Sequence, residues 1–341
     1  MTMNYNLTLK NFTFISLTLV LILVLAACSS EETNSQGEAD ASEEEIYNIK
    51  VATALDLTNK QMAGFPIFKE IIEETSDGRI QIEHVGGPEA IPGFNQGEAV
   101  SNGTVDMSWV FSSYYAESVP EALVSNFTEL SYEEEIERGS FEYLSELHEN
   151  AMNVKVLGRG AQGKYSIFLN DEVNSTEDFA GLKIRGTATY APLLQGLGAD
   201  AISMEGGEIY TALERGMIDG FAWANYSVTD LGVQELVNYQ VVPDFNTNDL
   251  LILMNANTME NLPEDLQELV REAAIQSYYE MAEGVEKVIE EEHASLKETG
   301  TEFIELEDSE KFQTIALEQS WEWLNTRINS DISELEKYFR K

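Results

Sequence analysis

Two runs of one rhythm, short apolar strands alternating with amphipathic stretches, restrict this chain to an α/β architecture with mainly parallel sheets. The first run begins at YNIKVATA, where period-two alternation over 47–54 marks a strand. A helix is expected over roughly 60–75. After the turn at Asp77 and Gly78, RIQIEHV alternates as a second strand, and GGPEAIPG breaks the chain before a helix at 95–102. VDMSWVF, 105–111, is the third strand. In such sheets the ligand crevice lies at the carboxyl ends of the strands, so the loops after Ala54 and Val110 are expected to line it.

The same alternation returns in the second half. NVKVL, SIFLN and LKIRG read as strands, YAPLLQGLG as a helix, ADAISM as a strand, 207–216 as a helix and IDGFAW as a strand. LLILMN, 250–255, has the look of a buried strand; 263–297 reads as a long or broken helix and 309–339 as a final one. That last helix carries Trp321 and Trp323, expected to pack it onto a lobe. A chain of 341 residues suits two lobes better than one core. The first lobe is assigned 47–160 plus about 251–290, and the second 161–250 plus about 291–341.

The amino terminus reports the compartment. Lys10 precedes an apolar run over 14–27, 14 residues long, which is short of the roughly 20 that a spanning helix needs. It therefore reads as the core of a secretory signal, residues 1–27, and places the protein outside the cytoplasm. The run ends in LAACSS, and LAAC looks like a bacterial lipobox, which implies cleavage before Cys28, lipidation of its thiol and anchoring to the outer face of the cell membrane. Cys28 is the only cysteine, so no internal disulfide exists. Residues 28–46 are polar, acidic and without an apolar cluster, and read as a tether.

Charge then narrows the partners. With 61 acidic against 20 basic side chains, the surface repels nucleic-acid phosphates, so nucleic-acid binding is not expected. An anionic ligand needs local Arg or Lys to overcome that field. Residues 158–163, GRGAQG, match a dinucleotide-binding fingerprint, but extended sequence follows them where a helix must start, so they read as a flexible crossover between lobes. His84, His148 and His293 lie far apart without metal-ligand spacing, and no nucleophile elbow is present. Neither a metal, a cofactor nor enzymatic turnover is expected.

Residues 177–227, EDFAGLKIRGTATYAPLLQGLGADAISMEGGEIYTALERGMIDGFAWANYS, carry a resemblance. They are similar to the DctP-type solute-binding components of TRAP (tripartite ATP-independent periplasmic) transporters, through D-L-x-G-L-K-I-R, L-G-A, E-x-Y-T-A-L-x-x-G and D-G. GGPEAIPGFNQGEAVSNGTVDM, 86–107, and NLPEDLQELVREAA, 261–274, resemble further segments of that family, so the likeness runs from about 47 to 280.

The resemblance implies a two-lobed, type II periplasmic-binding-protein clamshell with a hinge and long carboxyl-terminal helices, closing on a small organic carboxylate. It implies that Arg185 forks onto the carboxylate. On residue chemistry alone, a guanidinium at the end of LKIRG suits either that role or a salt bridge to one of the many acids. A second cation is implied at Arg159 or Lys164. Trp223 is implied as a cover that also offers its N–H, with Tyr190, Asn225, Trp109 and Phe94 as further contacts. Some relatives carry Glu before that Trp in a metal-assisted site; Ala222 stands there in this chain. The partners implied are small and large integral-membrane permease subunits driven by an ion gradient. The alternatives are a receptor for an ATP-driven importer or sensor, and a secreted lyase or hydrolase.

Overall fold

The computed structural model describes residues 45–341. The expected signal sequence, Cys28 and nearly all of the tether lie outside the described residues. The strands in chain order are β1 (Tyr47–Thr53), β2 (Ile80–Gly86), β3 (Met107–Phe111), β4 (Val154–Arg159), β5 (Lys164–Leu169) and β6 (Lys183–Arg185). They continue with β7 (Asp200–Ile202), β8 (Gly220–Ala224), β9 (Tyr239–Val242), β10 (Phe245–Thr247), β11 (Leu250–Asn255) and β12 (Glu302–Glu305).

Two sheets form, one per lobe. The first has the order β2-β1-β3-β11-β4, with β1 parallel to β2 and β3, and β11 antiparallel to both its neighbours. LLILMN is buried at every position because β11 is an interior strand covered on both faces. The second sheet runs β12-β9-β5-β8-β6-β7, with β10 paired to β5. In it β6 lies parallel to β7 and β8, so the carboxyl ends of β6 and β8 point the same way. This is the two-lobed α/β architecture expected from the strand and helix rhythm, but the sheets are mixed and not mainly parallel: β11 is antiparallel to β3 and β4, and β5 to β8, β9 and β10, because these strands lie where the chain crosses between lobes or returns beside its neighbour.

The chain passes between lobes at β4–β5 and again at β10–β11. The GRGAQG run is the first of these crossovers. Lys164 opens β5 directly after it, so no helix amino terminus is available there for a phosphate. Gly163 has φ +93°, and a Cβ at that position would lie 2.6 Å from the Tyr226 ring, so both its conformation and its surroundings require glycine.

A third passage is the helix Glu264–Glu298, unbroken and about 52 Å long at 1.5 Å per residue. Pro263 precedes it, Glu264 and Asp265 occupy its first turn and Lys297 its last, each at the favourable end of the helix dipole. It packs on helix Gly64–Thr75 and β4 of the first lobe, and reaches the Thr229–Leu231 turn of the second. β12 follows it and pairs with β9.

The expected final helix is interrupted. Ser309–Thr314, a π-turn at Ile315–Gln319 and Ser320–Asn325 form one stretch, and Ile332–Phe339 forms a separate helix. The intervening TRINSD is rich in side chains that compete with helical backbone hydrogen bonds, and Asp331 caps the new helix by accepting from the Ser333 N–H at 3.0 Å. This last helix returns to the first lobe: Ser140 Oγ donates to the Tyr338 carbonyl at 2.6 Å, and Tyr143 stacks on Tyr338 at 4.4 Å. Assigning all of 291–341 to the second lobe is therefore corrected for Ile332–Phe339. Trp321 is buried and Trp323 half-buried against Arg327, and neither faces the cleft described below. Among the described residues no helix is long and apolar enough to cross a membrane.

Candidate ligand site between the lobes

At the carboxyl ends of the strands, the facing edges of the lobes form a narrow, partly open cavity. Gln61, Phe111, Ser113 and Tyr114 line it from the first lobe, and Arg185, Thr187, Tyr190 and Trp223 from the second. Gln61 and the Phe111–Tyr114 segment lie on the loops after Ala54 and Val110, where the fold rule places ligand contacts. Arg185 ends β6, and Trp223 lies one residue before the end of neighbouring β8.

Arg185 is 1% exposed. Its Nε and one terminal nitrogen donate to the Met204 carbonyl at 3.1 and 2.8 Å, and the other terminal nitrogen donates to the Ala222 carbonyl at 3.2 Å. The guanidinium lies 5.2 Å from the centre of the Trp223 ring. Among the described residues no carboxylate lies within ion-pair distance of it, although the chain has 61 of them. Beside it, burial pushes the Tyr114 phenol up, and the Arg185 charge pulls it partly back.

Arg159 is the opposite case. It is also buried, at 2% exposure, but both its Nε and a terminal nitrogen fork onto Glu135 at 2.7 and 2.6 Å. Its remaining donors meet the Asn248 and Ser125 carbonyls at 2.9 and 2.6 Å. Burial works against its charge, and Glu135 more than offsets this, so its affinity for the proton is raised. The expectation that Arg159 supplies a second ligand cation is thus corrected: Glu135 neutralises its charge, and it is not part of the cavity lining. Lys164, the other candidate, is exposed on a separate depression with Asn126, Asn246 and Gln313, and does not reach the cavity.

The remaining expected contacts divide. Tyr190 and Trp223 do line the cavity, but the Trp223 N–H donates to the Ser227 carbonyl at 3.2 Å, so Trp223 presents its ring and not a donor. Asn225 is turned away and donates to Asp244 at 2.6 Å. Trp109 is core, packed edge-on against Phe65 and Phe68 at 5.2 and 5.0 Å. Phe94, 36% exposed, lies over Tyr114 at 4.4 Å, and its N–H meets Glu205 of the other lobe at 3.4 Å, which puts it outside the cavity lining. Ala222 before Trp223 has no side-chain ligand to offer a metal, and its carbonyl is taken by Arg185.

Sequence reasoning did not name Gln61, Ser113, Tyr114 or Thr187, although the strand-end rule pointed to the loops of the first three. It also missed Asp249 on the β10–β11 crossover. This buried carboxylate accepts from Ser112 Oγ (2.7 Å) and Ser113 N–H (3.0 Å) of one lobe, and from Tyr165 Oη (2.6 Å) and Thr189 Oγ (2.9 Å) of the other. Nearby, Lys60 of the first lobe meets Asp230 at 2.6 Å and Glu292 of the long helix at 3.1 Å.

Known proteins share this fold. The sequence model for bacterial extracellular solute-binding protein, family 7 (DctP) matches residues 51–323. A monocarboxylate 2-oxoacid-binding periplasmic protein from Nostoc sp. is 28% identical over 219 residues, covering 60% of this chain and 59% of the relative; the match thus spans about three-fifths of that protein. Among solved structures, a TRAP periplasmic solute-binding protein from Desulfovibrio salexigens with bound orotic acid superposes with TM-score 0.77 at 17% identity, covering 86% of this chain and 98% of that one. Another, from Pseudoalteromonas atlantica with bound sodium and pyruvate, also reaches 0.77 at 18% identity, covering 87% and 93%. These similarities show the same two-lobed fold, and with the family match over residues 51–323 the chain belongs to family 7 of the bacterial extracellular solute-binding proteins, the DctP family.

Proposed function

We propose that this protein captures a small organic carboxylate outside the cytoplasm, closes its lobes over it and delivers it to a TRAP membrane permease driven by an ion gradient. The observation that carries the reading is Arg185: a fully buried guanidinium at an interlobe cavity, with no carboxylate partner among the described residues of a strongly acidic chain. Three carbonyl contacts hold the fork in place, yet none neutralises its charge, and an unneutralised buried charge is costly. A ligand carboxylate supplies the missing anion. Tyr190 and Trp223 bound the ligand's apolar part, with Phe111 opposite.

The lining is short, eight side chains from the two facing lobes, which favours a small acid. The Nostoc relative is named for monocarboxylate 2-oxoacids, which are small acids. No catalytic step, metal or cofactor is part of this reading. Membrane attachment is proposed through a lipid on Cys28, with the acidic tether after it. The permease partners are proposed to be separate small and large subunits.

A thermal-shift screen of small organic acids tests the reading. A true ligand at about 100 times its Kd stabilises by about 2.7 kcal/mol and is recovered chemically unchanged. Failure of every small carboxylate to raise the melting temperature, or conversion of one during incubation, contradicts it.

A further inference from the structure

We infer that Gln61 reads the substituent at C2 of the ligand, so that the site selects acids with an acceptor oxygen there, 2-oxo and 2-hydroxy acids, against unsubstituted acids and α-amino acids. The inference rests on the carboxylate reading above and adds a specificity residue from the opposite lobe.

The orientation of the Gln61 amide follows from a relay that starts on the backbone. Asn248 Oδ1 accepts from the Leu250 N–H at 3.0 Å, and a backbone N–H is only a donor. Asn248 must therefore present its Nδ2, which donates to Gln61 Oε1 at 2.7 Å. The Gln61 oxygen is used, and its Nε2 remains, with no protein partner among the described residues, on a side chain that lines the cavity and is 1% exposed. The turn that carries it is fixed as well: Asn59 Oδ1 caps the Gln61 N–H at 3.0 Å, and Lys60 ties the same turn to Asp230 and Glu292 across the cleft. An amide NH2 at the cavity wall without a protein acceptor is free to donate to the ligand.

The other cavity groups agree. Arg185 only donates, while Ser113, Tyr114 and Thr187 bring hydroxyls. An α-ammonium is best met by a carboxylate, and the nearby buried acid, Asp249, accepts from four protein donors and is not part of the cavity lining. Glu205 stands at the mouth, engaged with the Phe94 N–H, and is not part of the lining. With the carboxylate on Arg185, the adjacent carbon faces donors and hydroxyls next to a fixed positive charge. A second oxygen is favoured there and an ammonium is repelled.

The test is calorimetric titration of the purified protein with matched series that differ only at C2. Pyruvate, lactate, propionate and alanine form the first series, and their four- and five-carbon homologues the others. Within the best-bound chain length, the oxo or hydroxy acid is expected to bind at least about tenfold more tightly than the unsubstituted acid, and the amino acid to show no heat. In Gln61→Met the oxo-to-unsubstituted ratio is expected to fall towards one. Gln61→Glu keeps the oxygen for Asn248 and inverts the other group from donor to acceptor; it is expected to lower the oxo-to-amino ratio by about tenfold or more. Equal binding of unsubstituted or amino acids by the wild type, or ratios unchanged in both variants, overturns the role of Gln61 and leaves the carboxylate reading standing. No binding of any acid in any series overturns the carboxylate reading itself.

Discussion

At the scale of single residues, burial sorts the titratable groups into those that serve packing and those left with unmet chemistry. Arg159 and Arg185 are equally hidden, but one has Glu135 and the other only carbonyls. His148 belongs to the packing class. Its Nδ1 meets the Leu144 carbonyl at 2.7 Å and its Nε2 the Tyr115 hydroxyl at 3.1 Å, and burial lowers its pKa from 6.5 to about 4. The folded protein thus holds it neutral. Above pH 6.5 neither state is protonated and the fold keeps its full stability; as pH falls towards 4, only the unfolded chain gains the proton, and stability is lost. Between pH 7 and 5 this costs about 2 kcal/mol. Urea unfolding of wild type and His148→Gln at both pH values checks it: the variant is expected to lose less on acidification, and equal losses contradict the assignment. None of this was legible beforehand. Arg185 was foreseen because it ends a strand whose surroundings match a family pattern. Gln61 was not, since an ordinary amide gains its meaning only from the Asn248 relay, and that contact joins residues 187 positions apart.

At the scale of elements, regular segments were readable and their interruptions were not. The alternating patterns of β1 and β2 and the continuous apolar run of β11 located those strands closely, while β9, β10 and β12 are too short to show a period. The break after Asn325 depends on a local cap and on docking to the first lobe, which periodicity does not report. The turn Lys60–Met62 was read simply as the start of a helix, yet it carries the pair that ties the lobes. The Lys60 ammonium is partly buried between Asp230 and Glu292, and Thr229 donates its N–H and hydroxyl to the same Glu292, each at 2.7 Å. Burial works against the Lys60 charge, while the two acids favour it and raise its pKa. Because the contact joins the lobes, it stabilises the closed form. Lys60→Met is expected to release ligand about fivefold faster, with association little changed. Stopped-flow dissociation measures this, and an unchanged release rate removes the latch from the account.

At the scale of the whole molecule, strand and helix alternation foretold two α/β lobes and a crevice at the strand ends. The charge balance foretold that a buried cation would be informative. What sequence could not place was the return of the last helix to the first lobe and the commitment of Arg159 to Glu135, both contacts between distant segments. In the proposed function, Arg185 joins fold and ligand. Its carbonyl partners Met204 and Ala222 would be stranded in Arg185→Ala, so that variant is expected to melt lower as well as lose ligand. Arg185→Lys keeps the charge and removes only the planar fork, which makes it the sharper probe. The deciding measurement is calorimetric titration of wild type and Arg185→Lys with the acid that stabilises the protein most. The account predicts an affinity loss on the order of thirtyfold or more for the lysine variant; affinity within about twofold of wild type would contradict a carboxylate held by Arg185.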